Sequence, residues 1–352
     1  MAGSRRRPWR AAVTCVLTGS LVALLGACGV VTTKEDRRAA EELAGKHFPG
    51  QIEAIGARTL FPGTGGSEVT FAVADDRDAV VRLPIDADKG TCDRKDCARA
   101  LTEAVARGRS DAAAFRTLRD AFDACGYEVI AIGPTGRPPY VVAELTNATV
   151  ERVLADIGGC VQRWVTASGA DSPLAQTKAS YVNVVSPAVA GKRSRGKDSW
   201  PTMMRLTRSD LLGSLTKHAY YSASYDIADG QVDTAGSARA VRPFKESQAF
   251  GKTVQDAVRE ELRATYPNVV MSTYQWVWRL EPGRIDRQAG YLLFCPEPGE
   301  RGRCDNSDDA VLVTADERGN PVGKIRVVHD VREGTGALRL PPYQVHRLTR
   351  CT

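Results

Sequence analysis

Residues 51–90 read QIEAIGARTLFPGTGGSEVTFAVADDRDAVVRLPIDADKG and decide the fold of the first part of the chain. Three runs in this stretch are rich in apolar and β-branched residues: Gln51 to Phe61, Ser67 to Ala74, and Ala79 to Ile85. Short turn-forming sequences such as PGTGG separate them, which is typical of antiparallel strands joined by tight connections. We therefore predict a three-stranded antiparallel sheet.

Helix signals stand on both sides of these strands. Thr32 and Glu35 have the spacing of a capping box, which predicts a helix from about Lys34 to His47. After the strands, the apolar periodicity predicts helices over residues 97–107 and 112–124, strands over 127–132 and 140–143, and a helix over 147–163. A helix packed on one face of a small antiparallel sheet buries the apolar side of both, so the expected class is α+β.

Part of this order returns in the second half of the chain. Glu260-Glu261-Leu262 leads into Tyr266-Pro267-Asn268 much as Glu41-Glu42-Leu43 leads into Phe48-Pro49-Gly50. In each copy a strand, a Pro-Gly turn, a second strand and an Asp-Ala-Val strand follow. The pattern indicates a duplicated helix plus three-strand unit, and convergence on the same order of elements is the alternative.

The N-terminus has the pattern of a bacterial lipoprotein signal. Arginines cluster over residues 5–10, an apolar stretch covers 11–25, and Leu25-Gly26-Ala27-Cys28 closes it. Small residues before a cysteine let a peptidase cut there, and the Cys28 thiol then takes the lipid. The apolar stretch is shorter than the ~20 residues of a membrane span. We therefore predict a lipid anchor on the extracytoplasmic face of the cell membrane.

The charge balance gives no indication of a nucleic-acid partner. The chain has 48 basic and 42 acidic residues, and cleavage before Cys28 would remove four arginines, which leaves 44 against 42. The mature protein is therefore close to neutral, whereas nucleic-acid binding needs a basic surface. The expected partners are the membrane, through the lipid, and an envelope protein or a small ligand, and no cofactor is indicated.

Nine cysteines are typical of an oxidising exterior rather than the cytosol. Cys15 would leave with the signal and Cys28 would carry lipid, so seven remain. Sequence proximity favours three disulfides among the many connectivities that seven cysteines allow: Cys92 with Cys97, Cys125 with Cys160, and Cys295 with Cys304. Cys351 would be a free or intermolecular thiol. A zinc site is the alternative, but the chain has no C-x-x-C pair and its four histidines are isolated in sequence.

The length and composition predict two domains. About 325 residues would remain after processing, more than one hydrophobic core usually holds. SPAVAGKRSRGKDSWP, residues 186–201, has no apolar period and indicates a connector. The predicted organisation is a signal peptide over 1–27, a lipidated tether over 28–33, an N-terminal α+β domain over 34–170, a linker over 171–201 and a C-terminal α+β domain over 202–352.

A row of aromatic rings is the first place to look for a binding surface. Tyr274, Trp276 and Trp278 alternate along a predicted strand and should share one face of it. Such a platform suits stacking on sugars or apolar ligands. Alternating rings also fill the space between a sheet and its covering helix, and we favour this core role.

No motif completes a catalytic or metal site. Ser214-Leu215-Thr216-Lys217 and Ser194-Arg195-Gly196-Lys197 match the S-x-x-K of penicillin-recognising enzymes without the companion motifs. Cys97 and His218 could form a peptidase dyad, but Cys92 makes a disulfide the better interpretation. Asp305 to Asp309 with Asp316 resembles a calcium loop, yet Ala310 stands where such a loop needs glycine.

The LGAC box, with an arginine-, alanine- and glycine-rich composition, resembles the lipoproteins of high-GC Gram-positive, actinobacterial type. This resemblance covers residues 1–28 and implies a role only for Cys28, as the lipidated residue. The helix-and-hairpin units are similar to PepSY or cystatin-like α+β modules found outside the membrane.

The sequence thus predicts a non-enzymatic, membrane-anchored extracytoplasmic protein that binds a ligand or partner in the cell envelope. A solute-binding lipoprotein of a transporter is one alternative, although strands and turns dominate the second half where such receptors alternate strand and helix. An envelope hydrolase is the other, without a complete motif to support it.

Overall fold

A computed structural model describes residues 33–60, 65–93, 95–133, 138–275, 278–299, 302–304 and 307–332. These residues form two compact units. The first comprises the described residues before Thr117 together with Gly196–Arg205, and the second comprises Thr117–Arg195 and the described residues from Leu206 onward. Helices pack on mainly antiparallel sheets in both units, which confirms the α+β class.

The first unit contains a four-stranded antiparallel sheet and two helices. Strands β1 (Ile52–Thr59), β2 (Ser67–Val73), β3 (Asp76–Asp86) and β4 (Thr91–Cys92) pair in chain order. Helix α1 covers residues 33–47, and α2 covers Cys97–Asp123. Alternate residues of β2 and β3 face both helices, and the shared core includes Ala40, Ala44, Val69, Phe71, Val81, Leu83, Leu101, Ala104 and Val105.

A buried carboxylate fixes α1 to this sheet. The Asp36 side chain is 2% exposed and accepts hydrogen bonds from Ser67 Oγ at 2.6 Å and from the backbone N–H of Ala87 at 2.8 Å. A buried carboxylate is costly unless donors satisfy it, so these two bonds define where the first turn of α1 lies. The end of α1 that follows the predicted tether is therefore held firmly.

The helices predicted over residues 97–107 and 112–124 are one continuous helix, α2. The expected break fell at the sequence Gly108-Arg109-Ser110-Asp111, which interrupts the apolar pattern. A glycine in a helix costs only about 1 kcal/mol relative to alanine, and no proline is present to stop the helix. Gly108 is also needed there, because it lies against the backbone of β3.

The second unit contains a mixed sheet with the order β10-β8-β7-β6-β5, with β9 paired to β8. Its strands are β5 (Val129–Ile132), β6 (Pro139–Val142), β7 (Ala179–Val185), β8 (Tyr220–Ala228), β9 (Gln231–Val232) and β10 (Ser237–Val241). Only β6 and β7 pair in parallel, because helix α3 (Val150–Ser168) connects them as a crossover. The apolar stripe of α3 is buried as its periodicity predicted, and Tyr225 Oη donates to the carbonyl oxygen of Leu154 at 2.8 Å.

The prediction of a linker over residues 171–201 is wrong for most of this segment, because the segment has regular secondary structure. It contains β7 and the short helix α4 (Pro187–Gly191). Tyr181-Val182-Asn183-Val184-Val185 is a short apolar run whose last four residues are buried in a strand with neighbours on both sides. The compact units divide at Arg116 and around Gly196–Arg205, so only residues 196–201 of the predicted linker lie at a division.

Three further helices follow in chain order: α5 (Thr202–Leu206), α6 (Ser209–Thr216) and α7 (Phe244–Leu262). The last five strands are β11 (Val270–Gln275), β12 (Arg279–Leu280), β13 (Arg287–Cys295), β14 (Asp309–Asp316) and β15 (Arg326–Val328). They form an antiparallel sheet of order β11-β13-β14-β15, with β12 paired to β13. Helix α7 covers one face through Phe250, Val254, Val258 and Leu262. A helix followed by antiparallel strands thus occurs in both units.

Within the described residues, none of the helices combines the length and the apolar character that crossing a membrane requires. Cys28 and the rest of the predicted signal and tether lie outside the described residues, except for Thr33 at the start of α1.

Candidate functional site

A cavity of about 450 Å³ lies in the first unit. One side, here called the acidic wall, is formed by Asp76, Arg77 and Asp78 at the start of β3. The other side, here called the tryptophan wall, is formed by residues 198–205, including Asp198, Trp200 and Arg205. The volume falls in the range of small-molecule sites, so this cavity is the candidate functional site.

The acidic wall carries two carboxylates that share one guanidinium group. Arg116 Nη1 in α2 lies 2.8 Å from Asp76 Oδ1 and 3.5 Å from Asp78 Oδ2, and both carboxylates are only 14% exposed. Asp76 Oδ1 also accepts the backbone N–H of Asp78 at 3.1 Å. Arg116 therefore holds the two carboxylates next to each other on this wall.

The ionisation of Asp76 argues against a role in proton donation. Burial raises the pKa of this carboxyl, but the hydrogen bonds from Arg116 and from the backbone of Asp78 outweigh burial and hold the pKa below its ordinary value. The hydrogen bond to Asp76 in turn raises the pKa of Arg116. A general acid at neutral pH needs a raised pKa, so Asp76 is suited to binding a cation or a hydrogen-bond donor instead.

Two arginines of α2 hold the acidic wall and the residue that precedes it. Arg109 Nη2 lies 2.9 Å from Asp75 Oδ1 and 3.2 Å from Asp75 Oδ2, just before the wall begins. Arg116 is two helical turns further on and therefore projects from the same side of the helix. The turn between β2 and β3 is thus held in one position over α2.

The tryptophan wall combines an aromatic ring with an incompletely satisfied arginine. The backbone N–H of Trp200 donates to Lys197 O at 3.0 Å, and Lys197 Nζ lies 5.7 Å from the centroid of the indole ring. Arg205 Nη1 lies 3.8 Å from Asp198 Oδ1, a fully exposed carboxylate. Arg205 Nε is buried without a hydrogen-bond partner among the described residues. A buried N–H group without an acceptor destabilises the conformation that the Arg205 side chain adopts here.

The sequence patterns do not reveal this site. The composition of residues 186–201 indicates a solvated connector, and no motif points to Asp76, Arg77, Trp200 or Arg205. Two local signals were present: the acidic sequence Asp75-Asp76-Arg77-Asp78 between two strands, and an aromatic residue at Trp200 after a basic run. Their proximity in space depends on tertiary packing, which neither signal encodes.

The aromatic row predicted as a binding candidate lies only partly within the described residues. Tyr274 is in β11, Trp276 lies outside the described residues, and Trp278 is partly buried. The ring of Trp278 packs edge-on against Phe250 of α7, with 5.1 Å between centroids, and belongs to the core beneath that helix. For Trp278 the structure therefore supports the core role.

Two of the three expected disulfides are present. Cys92–Cys97 and Cys295–Cys304 are bonded, with Cα–Cα distances of 4.8 Å and 5.4 Å. The third expected pair is not a disulfide: Cys125 and Cys160 are free thiols that lie close to each other. Cys160 Sγ also donates to the carbonyl oxygen of Asp156 one turn earlier in α3, at 3.1 Å. Cys351 lies outside the described residues.

The two S-x-x-K serines have structural partners. Ser214 Oγ donates to Leu211 O at 2.7 Å and accepts the backbone N–H of Ser194 at 3.1 Å. Ser194 Oγ donates to Asp210 Oδ2 at 2.7 Å and accepts from Arg208 Nη2 at 3.0 Å. Among the described residues, neither hydroxyl bonds to a lysine, so these serines connect the segment after α4 to α6 rather than forming a nucleophile.

The calcium-like sequence forms a turn where the structure describes it. Asp316 accepts the backbone N–H groups of Arg318 and Asn320, both at 2.9 Å. Asp305 and Asn306 lie outside the described residues. Within the described part of the chain, no three His, Cys, Asp or Glu side chains are placed to hold a metal ion.

Comparison with known proteins assigns the chain to no family. No protein-family model, curated protein or solved structure matches it. The N-terminal sequence and the cavity of the first unit are therefore the two observations that bear on function.

Proposed function

We propose that this protein is a lipid-anchored component of the extracytoplasmic face of a cell membrane that binds a small ligand or a partner and catalyses no reaction. The anchor is inferred from Leu25-Gly26-Ala27-Cys28 after an arginine cluster and an apolar stretch. Helix α1 includes residue 33, so the tether from Cys28 spans at most ~20 Å. In this proposal the first unit lies close to the bilayer.

The disulfides support the proposed compartment. One of them, Cys92–Cys97, closes the loop before α2, and the other, Cys295–Cys304, lies at the end of β13. Disulfides persist outside the cytosol and are rare where glutathione and thioredoxin keep thiols reduced. Both pairs therefore favour an exported protein.

The cavity of the first unit carries the binding part of the proposal. It presents fixed charges of both signs beside an aromatic ring, which are the features of a recognition site. Its best-fixed carboxylate, Asp76, stays ionised and paired with Arg116, and neither S-x-x-K serine is placed as a nucleophile. Recognition without catalysis accounts for these features.

The transporter alternative receives less support. Bilobal solute receptors alternate strands and helices so that each lobe has a mostly parallel sheet. In the described residues, all strand pairs except β6 with β7 are antiparallel. The fold therefore favours a binding module of another kind.

Metabolic palmitate labelling of the full-length chain in a bacterial host tests the anchor. The wild type should be labelled and should fractionate with membranes, because one diacyl unit supplies two chains at ~0.8 kcal/mol per buried CH₂. Cys28→Ser should lose the label, whereas the matched control Cys15→Ser, in the apolar stretch, should keep it. A labelled Cys28→Ser protein would overturn the anchor.

Native mass spectrometry of the detergent-solubilised, lipidated protein tests the binding role. We expect either a co-purifying small molecule or a cross-linkable envelope protein. If the protein carries the lipid but shows neither, the binding role is wrong.

A further inference from the structure

The hydrogen-bond donors of the cavity that have no acceptor define a class of ligand. We propose that the cavity binds a small organic monoanion, with the carboxylate of the ligand between Arg77 and Arg205 and its apolar part on the Trp200 ring. This inference rests on the proposed binding function and names the ligand class.

The carboxylates of the acidic wall already have donors. Asp76 and Asp78 both pair with Arg116, and Asp76 also accepts the backbone N–H of Asp78 at 3.1 Å. The cation bound by these carboxylates is therefore a side chain of the protein itself. Arg77 lies between the two aspartates in sequence and lines the same wall, so two positive charges stand against two negative charges there. A ligand meets no excess of either charge at this wall.

Several donors that line the cavity, in contrast, have no acceptor. The exposed Arg77 makes no hydrogen bond or ion pair within the described residues. Arg205 Nε is buried without an acceptor among them, and Arg205 Nη1 lies 3.8 Å from the fully exposed Asp198, a pair that contributes little. The hydroxyl groups of Ser199 and Thr202 also line the cavity without a partner in the described part of the chain. A ligand rich in acceptors would satisfy these groups.

The formal charge around the cavity indicates a ligand with one negative charge. The negative side chains are Asp76, Asp78 and Asp198, and the positive ones are Arg77 and Arg205 in the lining, Arg116 on the aspartates and Lys197 on the Trp200 ring. Four positive charges against three negative charges leave one positive charge, which a monoanion neutralises. A carboxylate also presents two oxygens to a guanidinium group in the bidentate geometry that arginine favours. A dianion such as a phosphate monoester would bring a surplus negative charge next to the acidic wall.

The size of the cavity and its aromatic ring indicate the rest of the ligand. The volume of about 450 Å³ corresponds to roughly fifteen water molecules at ~30 Å³ each, which accommodates a carboxylate with one apolar ring. Trp200 is on the same wall as Arg205. Its indole ring offers an apolar surface beside the guanidinium group that would hold the carboxylate.

Calorimetric titration of the lipidated protein in detergent tests the proposal, with N-acetyl-L-phenylalanine as the probe and protein-free detergent as the blank. The probe should bind at ~1 mM or below. Its amide, which has no negative charge, should bind at least about tenfold more weakly. No binding of the probe, or equal binding of the amide, would overturn the carboxylate assignment.

Two further compounds test the other parts of the ligand class. N-acetylglycine keeps the carboxylate but lacks the ring, and it should bind several-fold more weakly than the probe; equal binding would remove the ring from Trp200. Phenyl phosphate carries two negative charges at pH 8 and should also bind more weakly. Tighter binding of phenyl phosphate would contradict the preference for a monoanion.

Variants locate the site. Arg205→Gln should lower the affinity for the probe about fivefold or more and should reduce its advantage over the amide. Arg77→Gln, at an exposed position outside the core, should have the same direction of effect and keeps the test valid if Arg205→Gln is unstable. The matched control is Arg99→Gln, an exposed arginine of α2 that does not line the cavity, and it should bind as the wild type does. Unchanged affinity in both cavity variants, or an equal loss in the control, would place the site elsewhere.

The outcome for this ligand class is separate from that of the proposed function. Palmitate labelling and native mass spectrometry do not use N-acetyl-L-phenylalanine. A labelled protein that carries another molecule and does not bind this probe would refute the monoanion assignment and leave the anchored binding protein intact.

Discussion

Gly108 of α2 lies directly against the backbone of Val80 in β3, so that a β-carbon added at Gly108 would stand 2.6 Å from the Val80 carbonyl oxygen. No real β-carbon approaches a backbone oxygen so closely, so α2 can cross the sheet at this distance only through a glycine. The crossing point is immediately before Arg109 and two turns before Arg116, the two arginines that hold the acidic residues of the β2–β3 turn. The position of one glycine therefore affects the geometry of the cavity.

Gly108→Ala should destabilise the first unit. Alanine favours the helix by about 1 kcal/mol, but the clash is with backbone, so α2 must move away from β3 at a cost of about 1–3 kcal/mol. Gly45→Ala is the matched control, because Gly45 is in α1 and has nothing within 4 Å of its β-carbon position. Urea unfolding should show a lower midpoint for Gly108→Ala and an equal or higher one for Gly45→Ala. An equally raised urea midpoint in Gly108→Ala and Gly45→Ala would mean that α2 lies farther from β3.

The stability of the first unit should fall in acid through Asp76. Its folded pKa is lowered, so the ion pair with Arg116 contributes stability that is fully present above the unfolded pKa of about 3.9. This contribution is lost as the pH falls through the folded pKa. Arg116→Met should therefore be less stable than the wild type at pH 7, and the difference should shrink as the pH approaches about 3.

Arg152→Met is the control for that titration. Arg152 pairs with Asp156 at 3.2 Å on an exposed face of α3, where such pairs contribute less than about 0.5 kcal/mol. The unfolding free energy of Arg152→Met should differ little from that of the wild type at any pH. If Arg116→Met had an unfolding free energy lower than that of the wild type by the same amount at every pH, Arg116 would act through packing rather than through its charge.

Local patterns predicted those elements of the fold whose partners are close in sequence. The strands over residues 51–85 are bounded by turn sequences, and the stripe of α3 repeats at helical spacing, so each was recognisable alone. The continuity of α2 and the strand inside the predicted linker were not recognisable. Gly108 is accommodated by contact with β3, and β7 is a strand because β6 and β8 pair with it. Both depend on residues far away in sequence.

The candidate site was harder to predict for the same reason. Asp76 and Arg205 are separated by more than a hundred residues, and nothing near either one resembles a known motif. The composition of residues 186–201 was that of a solvated connector, and its aromatic residue gave no indication of what it contacts. A lipoprotein signal, in contrast, is recognised by a peptidase as a linear sequence, so the prediction of one at the N-terminus needs no knowledge of the fold.

The Cys160 thiol should resist alkylation in the folded protein. It is buried and donates to the carbonyl oxygen of Asp156, and burial raises the pKa of this thiol well above its usual range. The thiolate is the reactive form, so native Cys160 should not react near neutral pH. Cys125 is half-exposed and should react first.

Peptide mapping after N-ethylmaleimide treatment, with and without urea, checks this order. We expect Cys125 to be modified in the native protein and Cys160 only after unfolding. In Cys125→Ser the Cys160 peptide should remain unmodified until urea is added. Native modification of Cys160 at the rate of Cys125 would show that α3 opens locally or that the thiol is exposed.

Trp278 should be a major contributor to the stability of the last sheet. Its ring packs edge-on against Phe250, and its indole fills the space that Gly290 leaves in β13. Trp278→Ala should destabilise the second unit by about 3–5 kcal/mol through the cavity it creates. Trp278→Phe should cost less, because it keeps part of the ring and removes an indole N–H that is buried without a partner among the described residues.

A double-mutant cycle with Gly290 distinguishes a filled core from a general loss of structure. A β-carbon at Gly290 would stand 2.6 Å from the Trp278 ring, so Gly290→Ala should be destabilising in the wild type. Once Trp278 is alanine the clash disappears and part of the void is filled, so the same change should become neutral or stabilising. Because the two residues are in contact, the coupling in urea unfolding should be about 1 kcal/mol or more. Additive effects would mean that the indole does not lie on Gly290, and that Trp278 is free to take the binding role that its place in the aromatic row suggested.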